Sequence, residues 1–350
     1  MPALDTLTAS QILAIAPTEP ERLFSGDRVS LRHEFAVLAK HWHPDCNRSN
    51  DASRVMARVM ALYEAATHKL ATNEWCDPGV LRIDTVSGRS FVLKVRQCHD
   101  FELGRMAIAV HRVAFLIEKE HTILFETGLR RIAEIRYPDD QVRRDIAKFM
   151  PQVLNVYETA QHHVAIIAKP ADTVLLKDLI TYMGGQLPPR QAVWIVSRLL
   201  NLACFFEVTG LTHNAISTDT VFLSARNHGA YLLGGWWYSA PAGHPIELLP
   251  EATYDLLPLS MATNKRADIR LDLEAIRAVG RTLLGDPTGL DLARRGDVPK
   301  PLATFLRLPA PRSAIKDYRA WQRVLEDSFG PPRFIELPVS FNDVYPDVQP

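Results

Sequence analysis

The chain has 350 residues, and its 40 Lys plus Arg are balanced by 40 Asp plus Glu, so no broad basic surface argues for nucleic acid. With 47% hydrophobic and 23% charged residues it has ample material for the cores of two or three domains. The four cysteines, at 46, 76, 98 and 204, share no paired spacing, which argues against a disulfide framework and for a reducing compartment.

The amino-terminal residues lack the basic and apolar runs of a signal peptide. No apolar run reaches the ~20 residues that span a bilayer. The expectation is a cytoplasmic protein without membrane contact. Ala9 to Ala16 can form a short first helix. Leu31, Phe35, Leu38 and Trp42 then fall at helical spacing and make one apolar face. Val55, Val59, Leu62, Ala66 and Leu70 make a second. Between them lies His41-Trp42-His43-Pro44-Asp45-Cys46-Asn47. Pro44 has no amide hydrogen and a fixed φ, so the helix should stop just before it. Asp45 and Asn47 are turn residues. Two amphipathic helices joined by a polar loop predict an antiparallel hairpin that presents the loop to solvent.

This helix, His-Pro-Asp loop and helix over roughly residues 5–75 resembles a J-domain, the module of DnaJ-type co-chaperones. The resemblance implies that His43, Pro44 and Asp45 contact a DnaK-type ATPase chaperone and stimulate its ATP hydrolysis. It also implies a basic face on the preceding helix. Arg28, Arg32, His33 and Lys40 would supply it, diluted by Asp27 and Glu34, giving a weak, salt-sensitive contact.

Asn73 to Gly79 reads as a linker through its Cys-Asp-Pro-Gly string. The period then changes to alternation. Segments 81–86, 91–95, 106–110 and 113–117 read as strands of an antiparallel sheet. Residues 121–135 turn helical, a charged helix leads to Pro151, and two strands follow at 152–157 and 163–168. After Pro170 the chain reads as mostly helical: a short helix at 173–182, a long and very apolar one at 191–208 closed by Gly210, and further helices at 269–285 and 313–328. Short strands are expected at 221–223 and 231–233. The proline-rich tail from Pro331 should lie extended on the surface.

Strands with one helix, a hinge, then a helical lobe holding a small hairpin resemble a protein kinase over about residues 78–335. Local strings carry the likeness. Leu211-Thr-His213-Asn-Ala215 with Thr220 stands where kinases have the His-Arg-Asp loop and its later Asn. Leu232-Leu-Gly234-Gly235-Trp236 stands where they have Asp-Phe-Gly, and Asp272 opens a long helix as a buried Asp does there. The resemblance implies a proton-accepting Asp where this chain has Ala215, a metal-binding Asn where it has Thr220, and a metal-binding Asp where it has Gly234 or Gly235. His213 and Asp272 would brace the loop. The phosphate-gripping lysine is open between two strands. Lys94 in 91–95 is one choice. The other, which directly precedes the helix bearing Glu126, puts Leu116 or Ile117 at that position. No Gly-x-Gly-x-x-Gly phosphate loop is found. Trp236, Trp237 and Tyr238 could fill the cleft instead.

The sequence therefore predicts a multidomain chain. An all-α J-domain (1–72) and a linker (73–79) would precede an α+β, bilobal kinase-like fold with a small antiparallel N-lobe (80–169), a helical C-lobe (170–335) and a tail (336–350). The expected role is a co-chaperone adaptor without phosphotransfer, using no metal or cofactor and binding a DnaK-type chaperone and a protein client. The alternative is an atypical ATP- and magnesium-dependent protein kinase using Lys94, Glu126 and Asp219.

Overall fold

The computed structural model describes residues 4–72, 75, 79–331, 333 and 335–346. The chain is an α+β protein that divides into two compact units, one within residues 1–96 and one within 97–346. Most of the expected linker, including Cys76, lies outside the described residues.

In the first unit, helix α1 (Ala9–Leu13) opens with a capping box on Thr8. Helix α2 (Arg28–Trp42) starts where the Asp27 side chain accepts from the amides of Val29 and Ser30. It stops at His43, whose extended backbone precedes Pro44. Helix α3 (Ala52–Ala71) returns alongside. Ile12, Leu31, Leu38, Trp42, Val55, Val59, Leu62 and Ala66 form one buried core. Two basic side chains tie the ends of this bundle. Arg58 donates to the carbonyls of Leu13 and Ile15, and Lys69 pairs with Glu21 at 2.9 Å while also donating to the Thr18 carbonyl. Strands β1 (Val80–Asp84) and β2 (Ser90–Lys94) form an antiparallel hairpin. The hairpin belongs to this unit, so the boundary falls after it rather than before residue 80.

The second unit opens with a five-stranded antiparallel sheet. Its strands are β3 (Gln97–Phe101), β4 (Gly104–Ile108), β5 (Arg112–Glu118), β6 (Val153–Glu158) and β7 (His162–Ala168), in the order β3-β4-β5-β7-β6. Helices α4 (Thr122–Ala133) and α5 (Asp140–Ile146) interrupt it between β5 and β6. Residues 173–182, expected as one helix, begin as strand β8 (Thr173–Leu175) and only then become α6 (Leu176–Tyr182). Thr173 and Val174 are β-branched, and β8 pairs with the next hairpin, which overrides their place before a helix.

Helix α7 (Pro189–Thr209) ends at Gly210, in the left-handed conformation that suits glycine. It is long and apolar enough to cross a membrane, more so than the sequence reading allowed. In this structure it carries the core of the unit: Leu199, Leu200, Ala203 and Phe206 are buried among side chains from across the second unit. Strands β9 (Leu211–Thr212), β10 (Val221–Ser224), β11 (Gly229–Leu232) and β12 (Ala240–Pro241) follow, with β10 joining β11 to β8 and β9 pairing with β12. Helices α8 (Glu251–Tyr254), α9 (Leu259–Asn264), α10 (Ile269–Leu283), α11 (Lys300–Arg307) and α12 (Ala314–Phe329) complete the helical layer. A buried, two-pronged ion pair joins α10 to α12: Arg277 meets both oxygens of Asp317 at 2.7 Å.

The tail differs from its expected surface course. Ser340 caps a short helix α13 (Phe341–Val344), and Leu337, Phe341 and Tyr345 are buried. The Tyr345 hydroxyl donates to Asp178 at 2.5 Å and accepts from the Leu175 amide at 3.0 Å. Three apolar anchors outweigh Pro338 between them. The residues after Pro346 lie outside the described part.

Candidate functional site

The first unit offers a displayed loop. His43, Pro44 and Asp45 are all exposed, with the His43 and Asp45 side chains 50% and 87% accessible. The loop is nonetheless shaped from within. The His43 carbonyl accepts from the amides of Cys46 and Asn47, and the Asn47 side chain donates to the His41 carbonyl at 3.0 Å. The Asp45 amide donates to His43 Nδ1 at 3.2 Å. In the neutral ring this leaves the proton on Nε2, free for a partner. Arg28, Arg32, His33 and Lys40 are exposed along α2. The two acids that dilute them have structural work: Asp27 caps the helix, and Glu34 accepts from the amide and hydroxyl of Ser25.

The second unit offers a cleft of about 540 Å³. Hairpin β3–β4 and β5 supply one wall, through Phe101, Met106 and Phe115. Loop 213–220, the 234–238 turn and the start of α8 supply the rest. On β5, Val113, Phe115 and Ile117 join the core of the unit, so strand parity turns Leu116 to the other face. Phe115, not Leu116, is the side chain that this strand brings to the cleft. Glu126 is exposed on α4, whose inward residues are Phe125 and Gly128. Lys94 belongs to the first unit and is not among the lining residues.

Loop 213–220 is held from behind. Asp272 is fully buried and accepts from the amides of His213 at 2.8 Å and Asn214 at 2.7 Å. Burial pushes its carboxyl up to about 7 in spite of those two bonds. Asn214, at φ 63, donates from its side chain to the Tyr238 carbonyl. His213 donates from Nε2 to the Gly234 carbonyl at 3.0 Å, and burial lowers its ring to about 4, so it stays neutral. Ala215 brings only a methyl group. The Thr220 hydroxyl donates to the Ala215 carbonyl at 2.6 Å and accepts from the Ser217 amide, which commits it to the loop itself. Asp219 pairs with Lys177 at 2.6 Å.

Gly235 is locked by geometry. Its φ is +79, and a Cβ there would stand 2.8 Å from the His213 ring and 2.9 Å from Ala215. Any side chain at that position would strain the backbone and push His213 or Ala215 aside. Trp236 and Trp237 are almost wholly buried and Tyr238 nearly so. Trp237 stacks on Phe125 at 5.5 Å and meets Phe115 edge-on at 5.7 Å. The side chains lining this cleft therefore do not fit a magnesium nucleotide. The lining holds no lysine or arginine to grip phosphates. Among the described residues no three His, Cys, Asp or Glu side chains stand together as metal ligands.

The sequence reading missed the carboxylates at the mouth, Asp100, Glu102, Glu251 and Asp255. Only chain topology brings 100–102 beside 251–255, where Glu102 accepts from the Glu251 amide at 3.1 Å. On β5 the sequence reading pointed to Leu116 or Ile117, and the side chain that lines the cleft is Phe115. Compared with family models and with curated proteins, this chain matches none.

Proposed function

We propose that this protein is a cytoplasmic co-chaperone adaptor. Its first unit acts as a J-domain that recruits a DnaK-type ATPase and stimulates it. Its second unit acts as a kinase-like binding module for a protein client, without transferring phosphate. The observation that carries the reading is the display of His43, Pro44 and Asp45 in water, between two amphipathic helices and beside a basic helix face. A methyl at 215 and a hydrogen at 234 or 235, where the kinase resemblance would put the two carboxylates of phosphoryl transfer, support the second half. The rival, an ATP-dependent kinase working through Lys94, Glu126 and Asp219, gains no support from an exposed Glu126 and an Asp219 already paired with Lys177.

The test is the steady-state ATPase rate of a DnaK-type chaperone with the full chain added. Stimulation by the natural chain and its loss with His43→Gln is the expected result. Equal rates with both proteins would reject the proposal.

A further inference from the structure

The cleft of the second unit has a charge pattern of its own. Asp100, Glu102, Asp219, Glu251 and Asp255 line it, and no lysine or arginine does. Two of the five are neutralised, Asp100 by Arg105 at 2.9 Å and Asp219 by Lys177 at 2.6 Å. His99, the remaining basic group, is bonded to Asp178. Among the described residues Glu102, Glu251 and Asp255 have no ion-pair partner, so three uncompensated carboxylates stand at the mouth. Deeper in, Phe101, Phe115, Trp237 and Tyr238 give aromatic walls. The Tyr238 hydroxyl donates to Glu102 at 3.4 Å, so the wall and the rim are joined.

A polyphosphate would carry several negative charges into this field. A cation gains from the rim carboxylates, whose field is strengthened by the low-dielectric wall of buried aromatic rings below them. The carboxylates do not converge as metal ligands, which points to a larger organic cation. The volume, about 540 Å³, holds a side chain with room to spare. The segment carrying Glu251 and Asp255 also exposes Tyr254 at 63% and Leu259 at 85%, apolar surface that a free amine would not use and a peptide would.

We propose that the cleft takes the guanidinium or ammonium group of an arginine or lysine on an extended protein segment, whose apolar neighbours lie along residues 254–259. The proposal rests on reading the second unit as a client-binding module and is independent of the chaperone contact. Its test uses no chaperone, so the two can fail separately.

The experiment is a calorimetric titration of the full chain with a short capped peptide bearing one arginine among leucines. The same peptide with citrulline and free agmatine serve as comparisons. Citrulline keeps the shape of arginine and removes its charge. The expected result is saturable binding of the arginine peptide that weakens about tenfold with citrulline, and about tenfold in the double variant Glu251→Gln/Asp255→Asn, the scale of losing one or two surface ion pairs. Asp291→Asn, a 74%-exposed acid outside the lining, should leave binding unchanged. An unchanged thermal midpoint of the double variant shows that it is folded. Absent binding, equal affinity for arginine and citrulline peptides, an unaffected double variant, or agmatine binding as tightly as the peptide would each overturn the proposal.

Discussion

Loop 43–47 keeps His43, Pro44 and Asp45 in water, whereas loop 213–220 turns His213, Asn214 and Thr220 inward. The first joins two helices and the second joins strand β9 to strand β10, and both carry His, Asn and Asp. The first leaves His43 Nε2 unspent and the Asp45 carboxylate exposed, 3.6 Å from His43 Nδ1, because its internal bonds are made mostly by backbone groups and Asn47. The second turns His213 Nε2, the Asn214 amide group and the Thr220 hydroxyl to its own architecture, with Asp272 behind it as the acceptor of two amides. A loop of the first kind keeps polar groups at the surface. One of the second kind is a wall. Residue type alone did not decide this; the neighbouring helix did, by offering a buried carboxylate in one case and open water in the other.

The sharpest way to break the contrast is to remove one acid from each loop's environment. Asp272→Ala orphans two buried amides at about 1–3 kcal/mol each, so denaturant unfolding of the second unit should show a loss on the order of 3–5 kcal/mol. Asp45→Ala should change stability by less than about 0.5 kcal/mol, since it touches an exposed turn. Comparable losses from both would erase the distinction.

Acid sharpens it further. His213 is held to about 4 by burial, while the unfolded chain titrates near 6.5, so falling pH protonates the unfolded state first and costs stability from 6.5 down to 4. Asp272 is raised to about 7 by burial, so falling pH protonates the folded state first and adds stability. The two oppose each other. Thermal melts of the natural chain should change little between pH 6.5 and 4.5 from this pair. His213→Phe should leave a chain that gains stability on acidification, and Asp272→Asn one that loses it, each by up to about 1.4 kcal/mol per pH unit. Parallel pH profiles for the two variants would contradict the assignment.

A smaller effect is expected where the wall meets α4. A Cβ at Gly128 would stand 2.4 Å from the Trp237 ring, so Gly128→Ala should cost about 1–3 kcal/mol by overpacking. An unchanged midpoint would mean that the indole has room to move.

Much of the architecture was legible in the sequence, for reasons that can be named. The apolar stripes at 31–42 and 55–70 have a period no strand can use, and the helices formed there. Gly210 stopped α7 as a left-handed cap. Strand β3 was not read because Gln97-Cys98-His99-Asp100-Phe101 lacks alternation, being stabilised by its pairing with β4. Helix α11 opens at Lys300-Pro301, and its proline obscured a strongly amphipathic segment. The tail's helix depends on partners more than 160 residues away in the chain, Leu175 and Asp178. The mouth of the cleft was illegible for the same reason, since no local pattern tells that 102 and 251 meet.

The glycine at 128 and the indole at 237 fit as a notch and a key. Neither half can change size without the other, so substitutions at these two positions should be inherited together among descendants of this chain. The notch also fixes α4 in its longitudinal setting, because sliding by one residue would drive Thr127 or Leu129 into the ring. Here the fit between Gly128 and Trp237 seats α4 against the 234–238 turn.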